Sequence, residues 1–331
     1  MLKFIGKRFL LMIPVLLGVL FIVFTMNYIS PGDPARMVAG EGATEETIQA
    51  YREKMGLDKP FAVRFVDYVG NLVLHGDLGV SYRTGRSVSE EVFDRLPTTG
   101  LLALVSMLLG LTLALPIGVI SAVKQNSVLD NILMVIALLG LSMPSFWLGI
   151  MLIIAFSVKL GWLPGSGFET WRHWILPAIT IGTGGALGAV ARMTRSSMLE
   201  VIRQDYIRTA RAKGQRESVV VVRHALKNAL IPIITTVGIQ MGHLLGGAVL
   251  TETIFAVPGI GMYMVQSIKA RDYPAVQGGV IVLALVFCMA NLVVDIIYAF
   301  ADPRIKSQYL RKKKGNDKKE QMKAAAQGDE V

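Results

Sequence analysis

Residues 100–123 read GLLALVSMLLGLTLALPIGVISAV, a run of 24 residues without a charged side chain. As a helix rising 1.5 Å per residue it would extend about 36 Å, more than the roughly 30 Å hydrocarbon core of a bilayer. No alternation of period 2 or 3.6 marks a water-facing side. Five more blocks of this kind follow the same logic: Phe9 to Ile29, Asn131 to Val158, Ile175 to Ala191, Ala229 to Leu250 and Gln277 to Phe300. Hydrophobic residues make up 53% of the 331, which a globule in water could hardly hide. The expected fold is an all-α polytopic membrane protein with six transmembrane helices. Interior prolines at 14, 116, 144 and 232 predict kinks, tolerated where neighbouring helices satisfy the freed carbonyls.

Six crossings place both ends on one side, and the charge pattern chooses which. With the N-terminus inside, 22 of the 34 Lys and Arg residues fall in inner segments, including nine between Arg192 and Lys227. Short outer loops then hold only Lys159, Arg172, Lys269 and Arg271, so both termini are expected in the cytoplasm. The charged start before Phe9 also resembles a secretory signal, but the run is long enough to span and lacks a small-x-small cleavage site, which favours a retained helix over residues 1–29. Residues 30–99 carry helix signals of their own and predict a small helical external domain. Glu45 and Glu46 open one segment ending at Gly56, Asp58 and Pro60 open a second closed by Gly76, and Ser87 and Glu90 have capping-box spacing. The membrane core is expected over 100–305, followed by a basic, disordered cytoplasmic tail over 306–331 that would be drawn to anionic lipid.

The net charge of +10 does not point to nucleic acid, because the basic residues sit between apolar blocks with no aromatic interleaving. Cys288 is the only cysteine, so neither an intrachain disulfide nor a cysteine metal site is available. No zinc-protease helix, nucleophile elbow or phosphate loop is present; no catalytic, cofactor-binding or metal-binding residue is therefore assigned. Of four histidines only His243 falls in a predicted span, and Asp295 is the only acid inside one. Each reads either as helix packing or as a functional intramembrane group. Gly238, Gly242 and Gly246, echoed by Gly184 and Gly188, let helices approach closely, within the chain or against a second subunit.

The inner loop over 197–228 contains Asp205-Tyr206-Ile207-Arg208-Thr209-Ala210-Arg211-Ala212-Lys213-Gly214. It is helix-compatible, too polar for the bilayer, and stopped by a glycine. A positive-inside anchor explains the arginines but not the small Thr209, Ala210 and Ala212. This loop, with Arg223-His224-Ala225-Leu226-Lys227-Asn228-Ala229-Leu230-Ile231-Pro232, resembles the EAA loop of ABC importer permeases in the form found in the dipeptide, oligopeptide and nickel family. The general pattern is met at Ala210, Gly214 and Leu226 and departs elsewhere. Pro31-Gly32-Asp33-Pro34, Gly76-Asp77-Leu78-Gly79, Gly246 to Phe255, Pro258-Gly259-Ile260-Gly261 and Arg271-Asp272-Tyr273-Pro274 are similar to further blocks of that family, and together they span nearly the whole chain except its tail.

That resemblance implies the first-type permease subunit of a prokaryotic cell-membrane importer. A second permease subunit, two ATP-binding cassette subunits that bind ATP-Mg, and an extracytoplasmic solute-binding protein would complete it. The helix at Asp205 to Gly214 would dock on an ATPase and couple its closure to alternating access. Glu252, Pro258, Gly259 and Gly261 would shape an external gate or the binding-protein contact. A short peptide is the expected solute, with oligopeptides, glutathione or nickel complexes as alternatives. Read from residues alone, a stand-alone ion-coupled secondary transporter competes, although only Asp295 and His243 would be available for coupling.

Overall fold

The computed structural model describes residues 2–40 and 42–301, so the tail expected over 306–331 lies outside the described residues. Among the described residues five helices are long and apolar enough to cross a membrane: Arg8–Ile29, Val88–Val123, Trp171–Ile202, Glu217–Phe255 and Tyr273–Ile297. A bent pair, Val128–Ser142 and Ser145–Lys159, supplies a sixth if counted as one span. In chain order the helices are α1 (Leu2–Ile29), α2 (Pro34–Ala39), α3 (Glu45–Lys54), α4 (Phe61–His75), α5 (Val88–Val123), α6 (Val128–Ser142) and α7 (Ser145–Leu152). They continue as α8 (Ile175–Ile181), α9 (Leu187–Ile202), α10 (Asp205–Ala212), α11 (Glu217–Val219), α12 (Lys227–Phe255), α13 (Ile260–Lys269) and α14 (Tyr273–Ala301).

Two of the six apolar blocks are not single helices. Asn131 to Val158 breaks at Met143, which is extended (φ −81°, ψ 126°) because the ring of Pro144 disfavours helical backbone in the residue before it; the two halves meet at 105°. Ile175 to Ala191 breaks at Gly184 (ψ 107°) and Gly185 (φ +79°), a left-handed conformation that glycine adopts without strain. Beyond the break α9 continues to Ile202, so Arg192 and Arg195 are helical and not loop residues.

Helix α9 lies at the centre, packed on α5, α6 and α12. Its cluster includes Ala114, Val190, Ala191, Met198, Ala229 and Ile233, all nearly inaccessible. A Cβ on Gly110 would stand 2.7 Å from the carbonyl oxygen of Gly182, so the backbones of α5 and the α8–α9 unit touch directly, as small residues permit in a membrane. Gly238 and Gly242 face Val294 and Phe287 of α14 and are therefore packing positions within this chain. Gly246 is exposed with no atom within 4 Å of a Cβ.

At one end of the bundle Asp130, 1% exposed, joins α6 to α9 through two bonds from Arg195, Nε to Oδ1 at 2.8 Å and Nη2 to Oδ2 at 2.7 Å. Ser121 of α5 donates to the same carboxylate, as does the backbone of Asn126. At this end Arg8 of α1 also meets Asp295 of α14 at 3.0 Å, which gives the intramembrane acid a helix-pairing role.

At the opposite end three short motifs converge. Asp272, 1% exposed, accepts from Ser81 Oγ at 2.5 Å and from the backbone of Tyr82 at 3.0 Å. Tyr273 donates to Ser30 Oγ at 3.0 Å, and Gly79 packs on Pro274. The segments beginning at Pro31, Gly76 and Arg271 thus form one layer. The capping box expected at Ser87 does not form, because Ser87 makes no side-chain cap bond and pairs instead with Val80 in a single β-bridge. The Val88 amide donates to Gly79 at 2.9 Å, and helix α5 runs without interruption from there through Thr99 into the apolar run that begins at Gly100.

Candidate functional site: a loop helix, a broken-helix cavity and a buried turn

The loop helix α10 forms where α9 ends. Arg203 and Gln204 turn the chain, and the carbonyl of Gln204 accepts from the amides of Ile207 and Arg208 at 3.1 and 3.3 Å. Gly214 closes it with φ +74°. The helix is shorter than the stretch Asp205 to Gly214 by its last two residues, Lys213 acting as the C-cap. Ile207 (0% exposed) and Ala210 (8%) lie three apart on one face and enter the cluster of Met198, Val220, Val221 and Ala225. The other face is open: Asp205, Tyr206, Arg208, Thr209, Arg211, Ala212 and Lys213 are exposed. This resolves the small residues among the arginines. Ala210 is the anchor that fits close against the bundle, Thr209 folds its hydroxyl back onto the Asp205 carbonyl at 2.9 Å, and Ala212 leaves the outer surface low.

Arg211 is held in a two-bond pair with Glu217, at 2.6 and 3.1 Å, and this pairing raises the guanidinium pKa further. Both partners are solvated, so the pair orders the loop more than it stabilises the fold. His224 meets the Gln215 side chain at 2.8 Å. A seven-residue π-helical stretch, Val220–Leu226, then leads into α12. The loop helix is consequently attached to α9 on one side and α12 on the other, two helices that pack together.

Midway along the bundle the two helix breaks face one another. Ser145, Gly184, Ala186, His243, Leu244 and Gly247 line a small cavity of about 70 Å³. Interrupted helices at membrane depth persist only where protein or a water-filled path covers the freed backbone. His243 is exposed on α12 beside this cavity, as is Gly246 one turn on. Among the described residues no group of three or more His, Cys, Asp or Glu side chains could hold a metal ion.

Glu252 is fully buried. Thr99 of α5 donates to its Oε1 at 2.7 Å, and the Met262 amide in the first turn of α13 donates to Oε2 at 3.1 Å. Thr99 Oγ1 accepts from the Ile260 amide at 2.9 Å. A carboxylate from α12 therefore caps the start of α13, satisfying amides that a helix cannot pair internally. Gly259 and Gly261 are glycine because a Cβ at either would collide with this carboxylate. Glu252, Gly259 and Gly261 are buried within the turn, and Pro258 is its exposed member. Glu252→Ala would orphan the Met262 amide and the Thr99 hydroxyl, at about 1–3 kcal/mol for each buried group. The expected outcome is a lower thermal midpoint of the purified protein, with Glu252→Gln milder.

Most of the chain matches known proteins. Residues 114–307 match the family described as binding-protein-dependent transport system inner membrane component, and residues 1–103 match its N-terminal companion. The chain belongs to this family and is an ABC importer permease, a multi-pass membrane protein. It is 44% identical over 334 residues to a dipeptide transport system permease protein of Alkalihalophilus pseudofirmus, covering 92% of this chain and 100% of that one. It is 45% identical over 306 residues to a glutathione transport system permease protein of Pectobacterium atrosepticum, covering 92% and 99%. An inward-facing structure of the MetNI methionine ABC transporter superposes with a TM-score of 0.52 at 23% identity, over 62% of this chain and 93% of that one, a likeness of fold.

Proposed function

We propose that this permease passes short peptides into the cytoplasm as one of two permease subunits, driven by ATP-Mg on two separate ATP-binding cassette chains and supplied by a solute-binding protein on the far side. The observation that carries this reading is the loop helix: two buried anchors, Ile207 and Ala210, hold a short, low, cationic face outward between α9 and α12. Such an element suits a groove in a partner that opens and closes. Two relatives named for dipeptide and glutathione transport support a peptide solute over a nickel complex. The positive charge of the loop-helix side supports a cytoplasmic location for it and for both termini.

In this mechanism ATP binds the closed ATPase pair more tightly than the open one, and only that difference can move the permease. Closure displaces α10, α9 and α12 follow, and the breaks at Met143–Pro144 and Gly184–Gly185 absorb the change in helix direction. The cavity beside His243 then opens toward the side of Pro258, where a docked binding protein releases its solute. Reconstitution of the complex in liposomes with a labelled dipeptide tests the reading. Uptake that requires the binding protein, ATP and both cassette chains is expected; uptake by this chain alone would overturn it.

A further inference from the structure

Helix α4 belongs to the segment read from sequence as an external domain, yet its packing fixes it against the membrane-crossing part of α1. Phe61 and Phe65 meet Phe24 edge-on at 5.3 and 5.4 Å and Phe21 at 6.0 and 5.6 Å, while Phe61 meets Tyr28 at 5.0 Å. Further along, Leu17 of α1 and residues of α4 including Phe65, Val69 and Val73 line an apolar groove of about 360 Å³. The contacts run from Leu17 to Tyr28, within the C-terminal part of the span Arg8–Ile29, and cover about 16 Å of depth at 1.5 Å per residue. A helix held there cannot stand in bulk water while α1 stands in lipid.

The free side of α4 agrees with that position. Val63, Val66, Val73 and Leu74 recur on one face and are 44%, 67%, 73% and 78% exposed. Arg64, Asp67 and Asn71 turn instead into a separate cleft of about 490 Å³ shared with Glu53, Lys54 and Lys59. The apolar stripe adjoins Leu17 and Phe21 of α1, themselves 42% and 50% exposed. These are bulky side chains, whereas seams between membrane helices favour small ones.

We propose that α4 is a lipid-embedded helix, its Val63–Val66–Val73–Leu74 stripe and the groove at Leu17 covered by phospholipid acyl chains. It widens the lipid-facing belt of α1 and carries the polar segments on either side of it at the membrane surface. The test uses the assembled importer in phospholipid liposomes, with Cys288→Ala as background and a nitroxide placed by Val66→Cys, Val73→Cys or Leu74→Cys. Gln49→Cys on α3, an exposed position, serves as the aqueous reference. Collisions with oxygen several-fold above those with a water-soluble nickel chelate are expected at the three α4 sites, and the reverse at Gln49. Nickel access at Val73 and Leu74 would place the face in water and overturn the proposal. Protection from both reagents would mean that protein covers it, which overturns it equally.

Discussion

Asp130→Ala is expected to lower the stability of the purified permease by roughly 3 kcal/mol, the lower part of the range for breaking a buried ion pair. Asp130 is 1% exposed and receives both Arg195 bonds together with donors from Ser121 and Asn126. Removing it leaves a guanidinium held by α9 at the junction of three helices with no counter-charge. The figure is not higher because the Arg195 side chain is 26% exposed and water can reach one edge of it. Asp130→Ala combined with Arg195→Met should recover much of the loss, since an apolar pair avoids the stranded charge. Denaturant or thermal unfolding in one detergent measures both; a double variant no more stable than Asp130→Ala would show that the stranded guanidinium is not the source of the loss.

Ile207→Asp is expected to reduce ATP-driven uptake by about tenfold or more while leaving the amount of protein in the membrane within about twofold, because Ile→Ala losses alone reach 2–5 kcal/mol and a buried carboxylate adds to them. Ile207 is 0% exposed and is one of only two residues seating α10. The helix lies outside the spanning segments, so its release does not unfold them. Ile207→Val, which keeps the anchor, should transport nearly as the parent does. Uptake of labelled dipeptide set against membrane content separates the two outcomes; a parallel fall in both would make Ile207 a core residue and no more.

Much of the fold was legible because membrane-spanning helices announce themselves by length and apolarity. The unbroken run at Gly100 to Val123 could be read directly, as could the polar loop at Asp205 to Gly214. The breaks were harder. Pro144 signalled a kink, but whether a helix bends slightly or turns by 105° depends on what fills the space beside it. Gly184 looked like a packing residue, and only its backbone angles and those of Gly185 show a break there. Glu252 was singled out, but Thr99 was not: a single threonine carries no periodicity or spacing, and its importance comes from α12 and α13 arriving at it across 153 and 161 residues of sequence. Asp130 escaped notice for a related reason, since it stands one residue before an apolar block and reads as an interfacial acid until Arg195 is seen beside it.

The measurement that bears hardest on the coupling role of α10 is purification of the tagged chain in mild detergent from cells expressing the whole importer, with and without Arg208→Glu and Arg211→Glu. Co-purification of a second permease and ATPase chains with the parent, and loss of the ATPases but not of the second permease from the charge-reversed chain, is the expected result. ATPase chains retained in full by the reversed loop, with ATPase activity still stimulated by the binding protein, would contradict it.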